Sequence, residues 1–473
     1  MSNFTDTKTS QVSELHKIYD EYFDSDKDGF FVEVGAYDGH RWSNTTSLIE
    51  SDWSGILIEP IDRYFKSCQE RYKGNRKIQI YNCCIGWENE PSKKVYFGGP
   101  CTTIMEEMIP IYNETDPTDN HSLDNYEIRD MFTLDKFLED KNVDAIIMAT
   151  PDHWHAYGSC KAMESGKHVY LEKPCSHNMH ESDLIVNHQK YFNKVVQMGN
   201  QQRSSVHTQS IIKKIHQGLI GEAYNAVAFY NNSRGKVPNQ LIKDTPKGLN
   251  WDLFQGPAPR RNYTHDTWDY NWRWYGWDYG TGEAGNNATH ELDIARWALD
   301  VDYPNVVKVY AQKNHFLDDG WEMYDNMEAK FTFSKNKSIN WNGRSRNAFG
   351  KTTEGGRGTI IYGTEGSVFI NRQEYILYDL KGNIIENVKS EDIESGIALG
   401  GGGDMTTRHM QNFIDAIKNN VQLNSPIEDA VISQSMVHYA NISYRADTSF
   451  SIDEKSGKTK KTTSHWTCRL RQC

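Results

Sequence analysis

No stretch of the 473-residue chain holds the ~18 consecutive apolar residues that a membrane-spanning helix needs. The polar leader, residues 1–17, has no apolar core of the kind a signal peptide carries, so a cytoplasmic protein without a membrane partner is expected. Paired cysteine spacing is missing as well. Cys68, Cys83, Cys84, Cys101, Cys160, Cys175, Cys468 and Cys473 contain no C-x-x-C, and reduced thiols are the reading that fits such a chain. Basic residues are outnumbered, 52 against 64 acidic, and the formal net charge of −12 repels phosphate backbones. Nucleic acid is therefore not an expected partner. A short basic tail around Lys458, Lys460, Lys461, Arg469 and Arg471 reads as a solvated end.

What is present is enough for two or three domains: 37% hydrophobic and 25% charged residues over a length that exceeds one ordinary core. The runs Gly29 to Gly35, Gly55 to Pro60 and Ile78 to Ile85 read as buried parallel strands, and Thr133 caps a short helix over Leu134 to Asp140. From Val143 the alternation is regular. Strands at Val143–Ala149, Val169–Glu172 and Val195–Met198 alternate with helices at His155–Glu164, from Asn178 to about Asn193, and at Ser210–Gln217. Past Gly221 the chain turns β-rich, with strands at 223–230, 306–312, 327–333, 338–341, 359–362, 367–370 and 374–379. Helices at His290–Leu299 and about Thr407–Lys418 interrupt them. The expected architecture is α/β: a Rossmann-like parallel sheet, hybrid in its N-terminal part, followed by an α+β domain around a large open sheet. The divisions fall at 1–142, 143–220, 221–455 and an unpatterned tail, 456–473.

Chemistry concentrates where strands end. Thr150, Pro151 and His155 follow one strand, and Glu172-Lys173-Pro174 follow the next, the places where a doubly wound sheet holds ligands. A lysine in such a crevice is partly desolvated, which lowers its pKa and suits it to proton transfer. His153 and His155 stand two apart, but no third ligand recurs at metal spacing, so no metal site is expected. Gly280-Thr-Gly282-Glu-Ala-Gly285 matches G-x-G-x-x-G formally, yet no apolar strand precedes it, so it is not a dinucleotide fingerprint. Arg273, Trp272, Trp274 and Trp277 nearby are candidates for carbohydrate contact.

The segments Val143–His155, Ala162–Pro174, Val195–Ser205, Gly248–Arg260 and Gly280–Trp297 together resemble the Gfo/Idh/MocA oxidoreductases. That resemblance implies NAD or NADP, a sugar, polyol or related carbohydrate substrate, and a homo-oligomer. It implies that Lys173 is the catalytic acid/base and that His290 assists it. Asn286 stands where the family often has aspartate, and with Asp293, Arg273 and Trp274 it is expected on the substrate side. The glycine fingerprint that should open the family's first domain is absent from residues 1–142. Phe31–Gly39, Ser43-Asn44, Gly55–Pro60 and Thr133-Leu-Asp135 instead resemble FkbM-type methyltransferases, which implies S-adenosylmethionine near Glu33, Gly35, Asp38, Gly39 and Glu59. Glu59 can accept ribose hydroxyls, which both cofactors present. A methyltransferase, a carbohydrate-binding protein without catalysis and an inactive hybrid stay open as alternatives. If the sheet is one hybrid, Val143–Ala149 should pair with the strands near Val32 and Leu57.

Overall fold

Short aliphatic runs ending at glycine or proline become the strands of two small parallel sheets. The computed structural model describes residues 30–34, 36, 38–40, 45–85, 90–97, 102–103, 126–132, 141, 143–245, 249–264, 270–349, 356–389 and 403–460. The expected helix over Leu134 to Asp140 lies outside them. Two compact units divide the chain.

The first unit comprises residues 1–145 with Ile242–Gly256 and Arg260–Tyr263. Its strands β1 (Phe30–Val34), β2 (Ser54–Ile58) and β3 (Ile78–Tyr81) form a three-stranded parallel sheet in sequence order, with Phe31 opposite Gly55. Ile56, Leu57 and Ile58 are fully buried, as the unbroken apolar run requires. Two helices follow the first two strands, α1 (Thr46–Glu50) and α2 (Asp62–Arg71). A separate antiparallel-dominated sheet of order β4-β7-β5-β6 combines β4 (Cys84–Ile85), β5 (Glu90–Phe97), β6 (Thr102–Thr103) and β7 (Tyr126–Phe132). The charged sequence of β5 hid it from hydrophobic patterning.

In the second unit, β8 (Ala145–Met148), β9 (His168–Leu171) and β10 (Val196–Met198) form a Rossmann-like sheet of order β10-β9-β8. Val169 pairs with Val196 in parallel, and Glu172 N bonds Met148 O at 2.9 Å. Two helices alternate with these strands, α3 (Asp152–Glu164) and α4 (Met179–Phe192). The capping signal read at Asn178 is formed: its side chain accepts Glu181 N at 3.0 Å, while Glu181 Oε2 accepts His177 N at 2.8 Å. The single hybrid sheet is not formed among the described residues. β8 ends its own sheet, and Ile147 is 60% exposed, so this strand is not the doubly covered one the apolar run suggested.

A turn at Gln201–Ser204 and α5 (Val206–His216) lead into a nine-stranded mixed sheet. Its strands are β11 (Ala223–Asn231), β12 (Val306–Gln312), β13 (Asn326–Thr332), β14 (Ser338–Arg344), β15 (Arg357–Gly363), β16 (Ser367–Ile370), β17 (Glu374–Tyr378), β18 (Ile384–Lys389) and β19 (Phe450–Ser451). The order is β18-β17-β16-β15-β11-β14-β13-β12-β19, open at both ends. β11 lies parallel to β14 and antiparallel to β15. The alternating sequence of β13 buries Met327, Ala329 and Phe331 and exposes Glu328 and Lys330, as a sheet covered on one face requires. Helix α7 (Thr289–Leu299) and α9 (Ile427–Ala446) contribute Leu292, Ala295, Met436 and Val437 to the core on that face. Helix α6 (Trp251–Gln255) belongs to the first unit, and α8 (Gly403–Asn419) to the second. Residues 456–460, expected to open the tail, turn back onto the domain, with Lys460 N bonding Ser451 O at 2.9 Å.

Candidate active site

The ends of β8 and β9 and the turn before α7 surround a pocket of about 140 Å³, within the second unit. Its lining includes Ala149, Thr150, Asp152, His155, Glu172, Lys173, Pro174, Trp272, Arg273 and Asn286. The sequence points to all of these but Ala149 and Asp152 as site candidates, Trp272 among them as a carbohydrate contact. Asp152 stands at the first turn of α3, where a carboxylate suits the helix dipole. It ties the decoy glycine segment to the pocket wall, because Oδ2 accepts both Thr281 N (3.2 Å) and Thr281 Oγ1 (2.7 Å). His155 bridges the two strand ends, its Nδ1 2.6 Å from Pro174 O and its Nε2 2.7 Å from Thr150 O. His153 faces elsewhere, toward Tyr279 O at 3.3 Å, so the two histidines do not converge.

Lys173 is the centre of the pocket's chemistry. Its Nζ donates to Asn286 O at 2.6 Å and to Asn286 Oδ1 at 3.2 Å. Asn286 sits in a wide π-helical turn, Ala284–Ala288, that runs directly into α7. Such turns present carbonyls that an α-helix would bond internally. Burial drives the Lys173 ammonium down to about 8; Glu172 and Asp152 pull it back up, and Arg273 and Arg357 push it further down. His290 follows Asn286 by four residues, on the same helical face. Burial, then Arg372, Lys173 and Arg357, hold its pKa well below the ordinary imidazole value, so it stays neutral at working pH.

Two residues expected on the substrate side lie elsewhere than among these lining groups. Asp293 is 1% exposed and grips Arg203 through both oxygens at 2.7 Å, with Ser433 Oγ donating to it at 2.6 Å. Burial pushes its carboxyl up, but Arg203 outweighs that and holds it below the usual range. The pair lets α7, with ten of eleven residues buried, carry a charge inside the core. Asp293→Asn should therefore destabilise the fold by about 2–3 kcal/mol in urea titration at pH 7. That difference should shrink as pH falls below 3.8 through the lowered pKa, where the wild-type carboxylate also takes up a proton. Trp274 is likewise buried, stacked on Trp321 with centroids 4.2 Å apart.

The N-terminal candidates belong to the other unit. Gly35 lies outside the described residues, as does the side chain of Glu33. Gly39 has φ +71°, and a Cβ there would come within 2.9 Å of the Tyr72 ring, so packing on the residue after α2 already calls for glycine. Asp38 Oδ1 accepts His40 N at 3.0 Å. Glu59 is 2% exposed, and its Oε1 accepts Ile61 N at 2.8 Å at the start of α2.

The lysine at the end of a Rossmann-like strand thus faces, across the pocket, the turn of Trp272 and Arg273 and the π-helical turn of Asn286. Residues 98–200 match the family model described as "Oxidoreductase family, NAD-binding Rossmann fold", and residues 257–451 match "Oxidoreductase family, C-terminal alpha/beta domain". The chain therefore carries the Rossmann and C-terminal domains of a Gfo/Idh/MocA-family oxidoreductase. The first match begins upstream of Val143, and neither touches residues 1–97, so the methyltransferase resemblance of that segment gains nothing from them.

Levoglucosan dehydrogenase of Pseudarthrobacter phenanthrenivorans is 25% identical over 34% of this chain and 34% of its own length. The scyllo-inositol 2-dehydrogenase (NAD(+)) of Bacillus subtilis is 30% identical over 22% of this chain and 31% of its own. The matched stretches thus span about a third of these relatives. A solved levoglucosan dehydrogenase in complex with NADH and L-sorbose superimposes with TM-score 0.54 at 16% identity, covering 90% of this chain and 99% of that one. Aldose-aldose oxidoreductase from Caulobacter crescentus superimposes with TM-score 0.52 at 13% identity, covering 90% of this chain and 100% of that one. At such identities the likeness is one of fold. No helix among the described residues is long and apolar enough to cross a membrane.

Proposed function

We propose that the chain is an NAD(P)-dependent oxidoreductase that interconverts a secondary alcohol and a ketone on a sugar, polyol or related carbohydrate. The observation that carries this reading is Lys173, its Nζ in the pocket, held by a neutral partner and lowered to about 8. An amine tuned that way accepts a hydroxyl proton when neutral and returns it when charged.

The residues present fit the nicotinamide end of such a cofactor. Ala149 and Thr150 are exposed at the end of β8, and Glu172 and Pro174 line the same pocket. Buried Asn200, at the end of β10, has both side-chain polar atoms without partners. Thr150, Pro151, His155, Glu172 and Pro174 would hold this end, with Asn286 and Arg273 facing the substrate. When bound, the nicotinamide supplies the hydride acceptor or donor. Lys173 Nζ takes the hydroxyl proton as the carbon is oxidised, and Asn286 O and Oδ1 aim it. Neutral His290 is suited to hydrogen-bonding rather than to carrying charge.

The test is absorbance of reduced nicotinamide formed by purified protein with a panel of sugars and polyols at millimolar NAD or NADP. Substrate-dependent reduction above the protein-free rate is expected. A panel that yields none, with cofactor binding demonstrated, would refute the assignment.

A further inference from the structure

The pocket holds more cationic donors than its own carboxylates use. Lys173 and Arg273 both line it, and among the described residues neither forms an ion pair. Lys173 gives its protons to neutral Asn286. Arg273 gives one to Tyr270 O at 3.3 Å, and its Cζ sits 4.0 Å from the Trp272 ring centroid and 4.3 Å from that of Tyr270. The two rings orient the guanidinium without consuming its N–H groups, of which an arginine has five. Both acidic residues of the pocket are engaged. Asp152 receives Thr281, and Glu172 receives Gln201 Nε2 at 3.0 Å and Lys173 N at 3.2 Å.

Two further guanidinium groups, outside the lining, act electrostatically on the site: Arg372 and Arg357 on His290, and Arg357 on Lys173 as well. Arg357 opens β15 and donates Nε to Glu291 at 2.7 Å, next to His290 on α7. Arg372 lies in the turn between β16 and β17, where the β15–β16 register, Thr359 opposite Ile370, brings it alongside Arg357. Arg357 Nη2 and Arg372 Nε are buried without partners. Burial and then Arg357 push the Arg372 guanidinium down to about 10, the mark of positive charge not fully balanced by its surroundings. A neutral polyol would use the pocket's acceptors, Asn286 and the two carboxylates, as readily as its donors, and it makes no particular use of a guanidinium whose N–H groups are mostly unspent. An anion does, because charge-assisted bonds to a guanidinium fork are strong and directional.

We propose that the substrate is an anionic carbohydrate whose carboxylate or phosphate is held by Arg273 while its hydroxyl faces Lys173, with Arg357 and Arg372 adding to the attracting field. This deepens the function proposed above and rests on the same pocket being the substrate site.

The experiment is isothermal titration of the full-length protein, without cofactor, against D-glucuronate, D-glucose 6-phosphate and D-glucose at low and high salt. At least one anion should bind at least ~10-fold more tightly than glucose, and salt should reduce that advantage. A preference for glucuronate identifies a carboxylate, and a preference for glucose 6-phosphate identifies a phosphate. Arg273→Gln should abolish the advantage, whereas Arg273→Lys should keep part of it. Equal binding of glucose, failure of both anions to bind, or an undiminished advantage in Arg273→Gln overturns the proposal. The wild-type comparison needs no variant to fold. Because no cofactor is present, a failed dehydrogenase assay would leave this result standing, and the reverse also holds.

Discussion

Lys173→Met should lower kcat for carbohydrate-dependent NAD(P) reduction by at least ~100-fold and leave the melting temperature at pH 7 unchanged or raised. The first part follows from the loss of a general acid/base, typically worth ~10²–10⁴-fold. The second separates catalysis from architecture. Burial lowers the Lys173 pKa to about 8 from 10.5, so the folded state holds its ammonium at a cost. That cost is fully present below about 8 and is relieved as pH rises from there toward 10.5. Methionine fills similar space without the charge. A variant that loses activity and stability together would mark Lys173 as structural, and one with near wild-type kcat would remove it from the mechanism.

The same lysine sets the pH profile. In the oxidation direction the neutral amine is the base, so kcat should rise as pH passes through about 8, and in the reduction direction it should fall over that interval. Asn286→Asp places a carboxylate where the amide oxygen now sits, 3.2 Å from Nζ. An adjacent anion favours the ammonium, so the limb should move upward by at least about one pH unit. A profile that does not move in Asn286→Asp would mean that another group titrates.

Much of the second unit was legible because its signals are local. β12 and β16 fall on the stretches where alternation placed them, and the Asn178 cap forms as its spacing indicated. Helix α9 was not read at all, for a physical reason. Thirteen of its 20 residues are buried, around most of its circumference, so no apolar stripe stands out against a polar face. The pocket was legible at Lys173 and Glu172, where strand ends announce themselves. Asp152 gave no such sign, since its role arises from Thr281, 129 residues away. Asp293 and Trp274 misdirect for the opposite reason. A carboxylate and an indole close in sequence to pocket residues look like ligand groups, but Arg203 and Trp321, which claim them, are distant in the chain.

The unmodified chain should bind NAD no better than weakly, with Kd near or above ~1 mM, about −4 kcal/mol. A pyrophosphate needs a glycine turn that lets a helix N-terminus approach it. Residues 1–142 contain no Gly-x-Gly-x-x-Gly. The helix after β1 is five residues long, and its N-cap, Thr45, makes no side-chain cap bond, so it concentrates little dipole. Gly39 is accounted for by the Tyr72 ring, and the Glu59 Oε1 that could hold a ribose hydroxyl accepts the amide of Ile61. Replacing residues 1–142 with a genuine Gly-x-Gly-x-x-Gly half from a related oxidoreductase should bring the Kd for NAD into the micromolar range, a gain of about 4 kcal/mol. Carbohydrate-dependent turnover should rise with it, since Lys173, Asn286 and the pocket wall are unchanged by the exchange. Titration calorimetry on both proteins reads the difference directly. Micromolar affinity in the unmodified chain would mean that its first third grips the dinucleotide by some other device, and the glycine argument would fall.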